Sequence, residues 1–204
     1  MNEQRIRRDA IVIGASAGGV MALTELFHAF PADLPAAVAA VLHRSPHYET
    51  RLALVLGRRA KVRVLEPADG VPFEPGSVYV APRDQHMLID GDRIRLERSA
   101  KEHHTRPAID PLFRSAAKSL GNRVVGVLLT GGGEDGVQGL IATKQAGGIS
   151  LAQDPHEAPA PSMPSKAIVY DDVDAALPLA MIAKALVALA YGEPFDVPRA
   201  PAPV

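Results

Sequence analysis

Apolar residues fall along this chain in two alternating textures. Short β-branched runs, with Ala10-Ile11-Val12-Ile13 the first, are apolar without interruption. Such runs suit strands buried on both faces, the condition of a parallel sheet. Between them lie stretches of helical spacing, as where Val20, Leu23, Phe27 and Phe30 share one side of a helix over 18–30. Read this way, the pattern predicts strands over 10–13, 36–42, 61–65, 77–80, 124–129 and 149–152. It predicts helices over 18–30, 51–56, 136–146 and 178–190, the third ended by Gly147-Gly148. Asp110-Pro111 reads as an N-cap followed by proline at the first helical position, opening a further helix to about Leu120. Met87-Leu88-Ile89 and Ile94-Arg95-Leu96 flank Asp90-Gly91-Asp92, a hairpin turn signal. The expected fold is α/β: three layers, α/β/α, around a mostly parallel sheet, with an antiparallel hairpin inserted near residues 77–97. Residues 1–8 form an N-terminal extension, residues 9–192 one domain, and residues 193–204 a Pro/Ala-rich tail expected to be disordered. Residues 155–164, with four prolines, read as a loop.

Charge and composition narrow the function. With 204 residues, the chain suits one well-covered domain. Its 22 Lys and Arg against 23 Asp and Glu leave a net charge of −1, and only 5 Phe and 4 Tyr are present for stacking. Nucleic acid is therefore not an expected partner. The absence of Cys excludes disulfide frameworks, thiolate nucleophiles and Fe–S clusters. The apolar run after Arg5, Arg7 and Arg8 is too short for a signal peptide, and 36–42 and 179–191 are too short to span a bilayer. A soluble, cytoplasmic protein without membrane insertion is expected. His43 and His47 stand four apart, but Pro46 spoils the helical spacing a metal pair needs, and His103-His104 is a weak ligand signal. No metal or other cofactor is expected. His28, His86 and His156 have no evident partner.

Three segments carry candidate chemistry. Gly14-Ala15-Ser16-Ala17-Gly18-Gly19 lies between the first strand and the first helix and matches G-x-S-x-G. Its glycines allow a tight turn that lifts the Ser16 hydroxyl above the sheet edge, where a helix N-terminus favours developing negative charge. A dinucleotide turn would want glycine at Ser16 and an acid after the second strand, where His43 stands. A plain helix-capping serine stays open. His43 follows the second strand and so sits at the sheet's C-terminal edge; a polar rim residue is the alternative. Thr130-Gly131-Gly132-Gly133-Glu134-Asp135-Gly136 follows the strand over 124–129. Asp135 there is either an orienter for His43 or a local N-cap. Taken together, Ser, His and Asp at the ends of different strands form a nucleophile, a general base and an orienter.

With these pieces in order, the chain resembles the catalytic domain of CheB-type protein-glutamate methylesterases of bacterial chemotaxis. The resemblance runs over roughly residues 9–191. It rests on the residues 13–19 turn, His43 with Pro46, Tyr79-Val80-Ala81-Pro82 with Asp84-Gln85-His86-Met87, Arg106-Pro107-Ala108-Ile109-Asp110-Pro111-Leu112-Phe113, residues 126–136, and Ala152-Gln153-Asp154 leading to Met163-Pro164-Ser165-Lys166-Ala167-Ile168. It implies a serine hydrolase that demethylates glutamate γ-methyl esters on chemoreceptor signalling helices, releases methanol, and in many relatives deamidates receptor glutamines. It implies Ser16 as nucleophile, His43 as base and Asp135 as orienter, with the N–H groups of Ala17 and Gly132 lining an oxyanion hole. Arg106 and Met163 are the expected substrate rim. The implied partner is a methyl-accepting chemoreceptor or a similar signalling protein. Two residues depart from the pattern: Ala17 stands where Thr is frequent, and Gly132 where Met is usual. No receiver domain is expected within this sequence, which leaves a separate receiver protein in trans as the expected regulator, with the basic cluster Arg58, Arg59, Lys61 and Arg63 as a docking site or simply a solvated face. A non-catalytic signalling module of the same fold, and an esterase for a protein other than a chemoreceptor, remain as alternatives.

Overall fold

A computed structural model describes residues 7–44, 51–171 and 173–195. The expectations about Pro46, His47 and most of the tail lie outside those residues. The chain builds β1 (Ala10–Ala15), α1 (Gly19–Ala29), β2 (Ala37–Leu42), α2 (Leu52–Gly57), β3 (Arg63–Leu65) and β4 (Ser77–Val80). It continues with β5 (His86–Asp90), β6 (Arg93–Glu97), α3 (Ile109–Leu120), β7 (Val124–Leu128), α4 (Val137–Gln145), β8 (Ile149–Gln153), α5 (Ser162–Asp171), β9 (Ala175–Leu177) and α6 (Leu179–Ala190). Seven strands form one parallel sheet in the order β3-β4-β2-β1-β7-β8-β9, and β5 and β6 form a separate antiparallel pair. The three-layer α/β/α expectation holds. Among the described residues no helix is long and apolar enough to cross a membrane.

The uninterrupted apolar runs are divided between two cores by the alternation of side chains along a strand. Ile11, Ile13 and Ala15 face α1, α2 and α6. Ala10 and Val12 face α3, α4, α5 and the hairpin. Both faces of β1 and β2 are therefore dry, which is why no polar residue interrupts them.

Several expected boundaries move. The hairpin is confined to 86–97, because Ser77–Val80 pairs in parallel with β2 and β3 and belongs to the main sheet. α3 begins at Ile109 with Ala108 as its N-cap, so Asp110 does not cap its own helix and Pro111 is its third residue. A proline is tolerated there, because the first-turn N–H groups have no intrahelical acceptor to lose. The same reason lets α5 begin at Ser162 with Pro164 as its third residue, inside what reads in sequence as a proline-rich loop. β9, which directly follows Asp174, is three residues long, too short an apolar run to show a period.

The connectivity marks one place on the sheet. From β1 the chain goes to β2 beside it and to β3 at the edge, inserts β4 between those two, then returns to place β7 on the other side of β1. The C-terminal ends of β1 and β7 thus flank the point where the winding direction switches, where open α/β sheets leave a crevice for ligands.

Candidate active site

Ser16 follows β1 at that switch point. Its N–H donates to Thr130 O at 3.0 Å, and Leu129 N–H donates to Gly14 O at 2.9 Å, so the turn after β1 is tied to the loop after β7. On the other side, His43 N–H donates to Ala15 O at 3.1 Å, which extends the β1–β2 ladder one step past the end of β2. Ser16 and His43 consequently border the same recess. Gly18, at φ 79°, is the N-cap of α1 and no side chain caps that helix. Ser16 is therefore not a capping serine, and among the described residues its hydroxyl makes no hydrogen bond.

Backbone proximity explains the glycines. A Cβ at Gly131 would lie 2.8 Å from Ser16 Cβ and 2.5 Å from Met163 Cε. A Cβ at Gly19 would lie 2.5 Å from Leu42 Cδ1. Only residues without side chains let the two loops and α1 close around Ser16. A Cβ at Gly132, in contrast, meets nothing within 4 Å. The N–H groups of Ala17 and Gly132 make no hydrogen bond among the described residues, and both residues are exposed.

His43 and Asp135 meet across 92 residues of chain, with His43 Nε2 at 2.7 Å from Asp135 Oδ2. The other ring nitrogen, Nδ1, makes no hydrogen bond among the described residues, and His43 lines the recess. Asp135 is 2% exposed. It does not cap α4, whose N-cap is Gly136 at φ 100°. It caps α3 instead: Ile109 N–H donates to Oδ2 at 2.7 Å and Asp110 N–H to Oδ1 at 2.9 Å. Burial alone would raise this carboxyl, but the hydrogen bonds from His43 and from the two backbone amides outweigh it and hold Asp135 below the usual carboxylate range. Asp135 is thus kept ionised beside an imidazole.

Behind it, Asp110 Oδ1 accepts from Gly136 N–H at 3.1 Å and Gly139 N–H at 2.6 Å, while His103 Nε2 lies 2.9 Å from Asp110 Oδ2 and 3.9 Å from Asp135 Oδ1. Burial and the neighbouring Asp135 push Asp110 upward. His103, Asp110 and Asp135 offer ligand atoms within 4.8 Å of one another, the one group of that kind among the described residues. The two carboxylates are already engaged by amides and imidazoles, so the cluster forms a hydrogen-bonded network as it stands.

Other expected residues fall elsewhere. Met163 is fully buried beneath Gly131, so it supports the loop from below and does not stand at a rim. The Arg106 guanidinium is engaged by Asp84 Oδ1, at 3.0 and 2.8 Å, and by Ser99 O at 2.6 Å. Neither residue lines the recess beside Ser16. That recess, about 380 Å³, is bounded by Val20, Met21, Leu42, Leu52 and Val55 together with Ser16 and His43. Arg58, Arg59, Lys61 and Arg63 are all exposed. His86, without an evident partner in sequence, is buried: Nε2 donates to Ala100 O at 3.0 Å and Nδ1 accepts from Ala108 N–H at 3.2 Å, next to the start of α3.

Sequence reasoning also missed two tethers. Buried Thr130 donates to Ala17 O at 2.9 Å and accepts from Ala160 N–H at 2.9 Å, pinning the Ser16 turn to residues 159–161. Gln153 Oε1 accepts Thr130 N–H at 2.9 Å. The available signal was a polar residue just past an apolar strand, which marks a position but not a partner.

These features define a class: a doubly wound α/β protein that gathers serine, histidine and a buried, ionised aspartate at the switch point of its sheet. The family model for CheB methylesterase matches residues 11–186, and the chain belongs to that family. It is 39% identical over 184 residues to a protein-glutamate methylesterase/protein-glutamine glutaminase of Pyrococcus horikoshii, covering 88% of this chain and 50% of that one. A protein-glutamate methylesterase/protein-glutamine glutaminase 2 of Anaeromyxobacter dehalogenans is 38% identical over 180 residues, covering 88% and 53%. The crystal structure of the Thermotoga maritima CheB methylesterase catalytic domain matches with a TM-score of 0.84 at 32% identity, over 89% of this chain and 98% of that one. The chain spans about half the length of the curated relatives it matches.

Proposed function

We propose that this chain is a serine hydrolase that cleaves glutamate γ-methyl esters on the signalling helices of methyl-accepting chemoreceptors, releasing methanol, and that the same site deamidates glutamine side chains there. The observation that carries the reading is the 2.7 Å contact between His43 Nε2 and the buried Asp135 carboxylate, beside Ser16 at the sheet's switch point. The names of the curated relatives support the substrate class.

The contact between His43 and Asp135 supports the following roles. Nδ1 of His43 takes the proton of Ser16 as Oγ attacks the ester carbonyl. The imidazolium that forms is stabilised by Asp135, whose own charge is supported by the α3 amides. The unengaged N–H groups of Ala17 and Gly132 are the donors for the oxyanion. Proton return from His43 releases methanol from the ester, or ammonia from an amide. Water, activated by the same histidine, then hydrolyses the acyl-enzyme to glutamate.

The test is methanol release from a methylated receptor fragment by the purified chain. Release by the native chain and none by a folded Ser16→Ala variant is the expected result. Equal release by both would remove Ser16 from the mechanism, and no release from the fragment alongside turnover of another protein ester would reassign the substrate.

A further inference from the structure

Asp110 and Asp135 stand in a reciprocal relation. Asp135, at the threshold of α4, accepts the first two amides of α3; Asp110, in the first turn of α3, accepts the amides of Gly136 and Gly139 at the start of α4. Each carboxylate caps the other's helix. The helices are pressed together to allow it: a Cβ at Gly139 would lie 2.4 Å from Phe113 Cβ and 3.1 Å from Asp110 Oδ1, and one at Gly136 would lie 2.8 Å from Ile109 Cγ2. Neither helix has a capping side chain of its own.

We propose that Asp110 is a positioning residue for the His43–Asp135 pair: the reciprocal cap, acting through α3 and α4, sets where Asp135 presents Oδ2 to His43. Two features of the site support this. Asp135 belongs to a loop of five residues between Thr130 and Gly136 containing three glycines, and that loop has no intrinsic stiffness to hold a carboxylate. The helix-end amides give Asp135 two fixed donors, one to each carboxylate oxygen, so that Oδ2 is shared between Ile109 N–H and the imidazole. Those donors stay in place only while α3 and α4 keep their relative position, which is what Asp110 holds. Burial of Asp110 against Asp135, which pushes Asp110 upward, is a cost that an incidental surface cap would not carry.

In its catalytic consequence the proposal rests on the hydrolase reading above; in its structural consequence it does not. The experiment therefore has two readouts on the whole chain and its Asp110→Ala and Asp110→Asn variants. The first is kcat and KM for methanol release. The second is the proton resonance of His43 Nε2–H in its hydrogen bond to Asp135. Asp110→Ala should lower kcat by about 10²-fold, the size of effect expected for a displaced catalytic group, with KM little changed, and should broaden the Nε2–H resonance into exchange with water. Asp110→Asn keeps an oxygen for the Gly136 and Gly139 amides and should restore most of both signals. A folded Asp110→Ala chain with native kcat and a native resonance would overturn the proposal. So would a folded Asp110→Asn chain whose kcat falls about 10²-fold and whose resonance is broadened, since charge and not acceptor position would then be at work; this arm decides if the alanine variant does not fold. If the native chain releases no methanol, the hydrolase reading fails, and the resonance alone decides the role of Asp110.

Discussion

Three donors converge on one side chain at Asp135: His43 Nε2, Ile109 N–H and Asp110 N–H. An asparagine has one acceptor oxygen and would turn its amide toward at least one of them. Asp135→Asn should therefore cut turnover by about 10⁴-fold, the serine-protease precedent for a wrong imidazole tautomer, measured as kcat for methanol release. It should also lower stability by about 1–3 kcal/mol, the usual effect of a buried unsatisfied donor, read by denaturant unfolding. The neighbouring glycines separate just as sharply. Gly131→Ala would drive a methyl group into Ser16 and Met163, and should abolish activity or folding. Gly132→Ala meets open space at an ordinary φ, and should stabilise the fold by about 0.4–1 kcal/mol by restricting the unfolded chain. Comparable thermal shifts for the two variants would contradict this account.

Helices α3 and α4 exchange caps, and this gives the molecule a pH dependence whose sign can be worked out. Asp110 is raised by burial and by Asp135, so the folded chain holds a proton there that the unfolded chain releases. Its contribution is present below the ordinary carboxyl value, roughly 3.9, and is lost as pH rises through the folded value. Asp135 is depressed, so its contribution is present above the ordinary value and is lost as pH falls through the folded value. Asp110→Asn mimics the protonated acid. Relative to the native chain it should gain stability as pH rises from about 4 to about 7, and be close to parity at the acid end. Thermal unfolding of both chains across that range checks the sign; a gain at acid pH alone would reverse it. At this scale the sequence was only partly legible. Asp110-Pro111 does mark a helix start, but the acid caps a different helix, because its side chain is drawn to the nearest orphan amides and those belong to α4.

At the scale of the whole molecule, the site lies where the winding of the sheet reverses, and an apolar recess opens beside it. Met21 is 70% exposed and Val55 40% exposed along that recess, an arrangement suited to apolar side chains flanking a scissile ester. Met21→Glu and Val55→Asp should raise KM for a methylated receptor fragment about tenfold, as for the loss of about 1–2 kcal/mol of apolar contact, with kcat nearly unchanged. Hydrolysis of a small soluble ester should be unaffected by either change. If KM for the fragment stays the same, the recess does not bind the substrate.

The sequence by itself determined that β1, β2 and β7 are strands dry on both faces, that glycine-rich turns follow β1 and β7, and that Ser16, His43 and Asp135 stand beyond strand ends. Each of these is a local matter of period, side-chain bulk and turn chemistry. Only the tertiary structure decided that β7 lies beside β1, that Ser77–Val80 joins the main sheet, that Met163 lies beneath Gly131, and that Asp110 faces α4. Apolar burial has no direction, so interchangeable runs such as Val38–Val41 and Val124–Leu128 say that a strand is covered but not which strand is its neighbour. The hydrogen bonds that single out Asp135 are directional. They join residues 25 to 92 positions apart, and their partners meet only once the sheet has closed and two helix ends have been brought together.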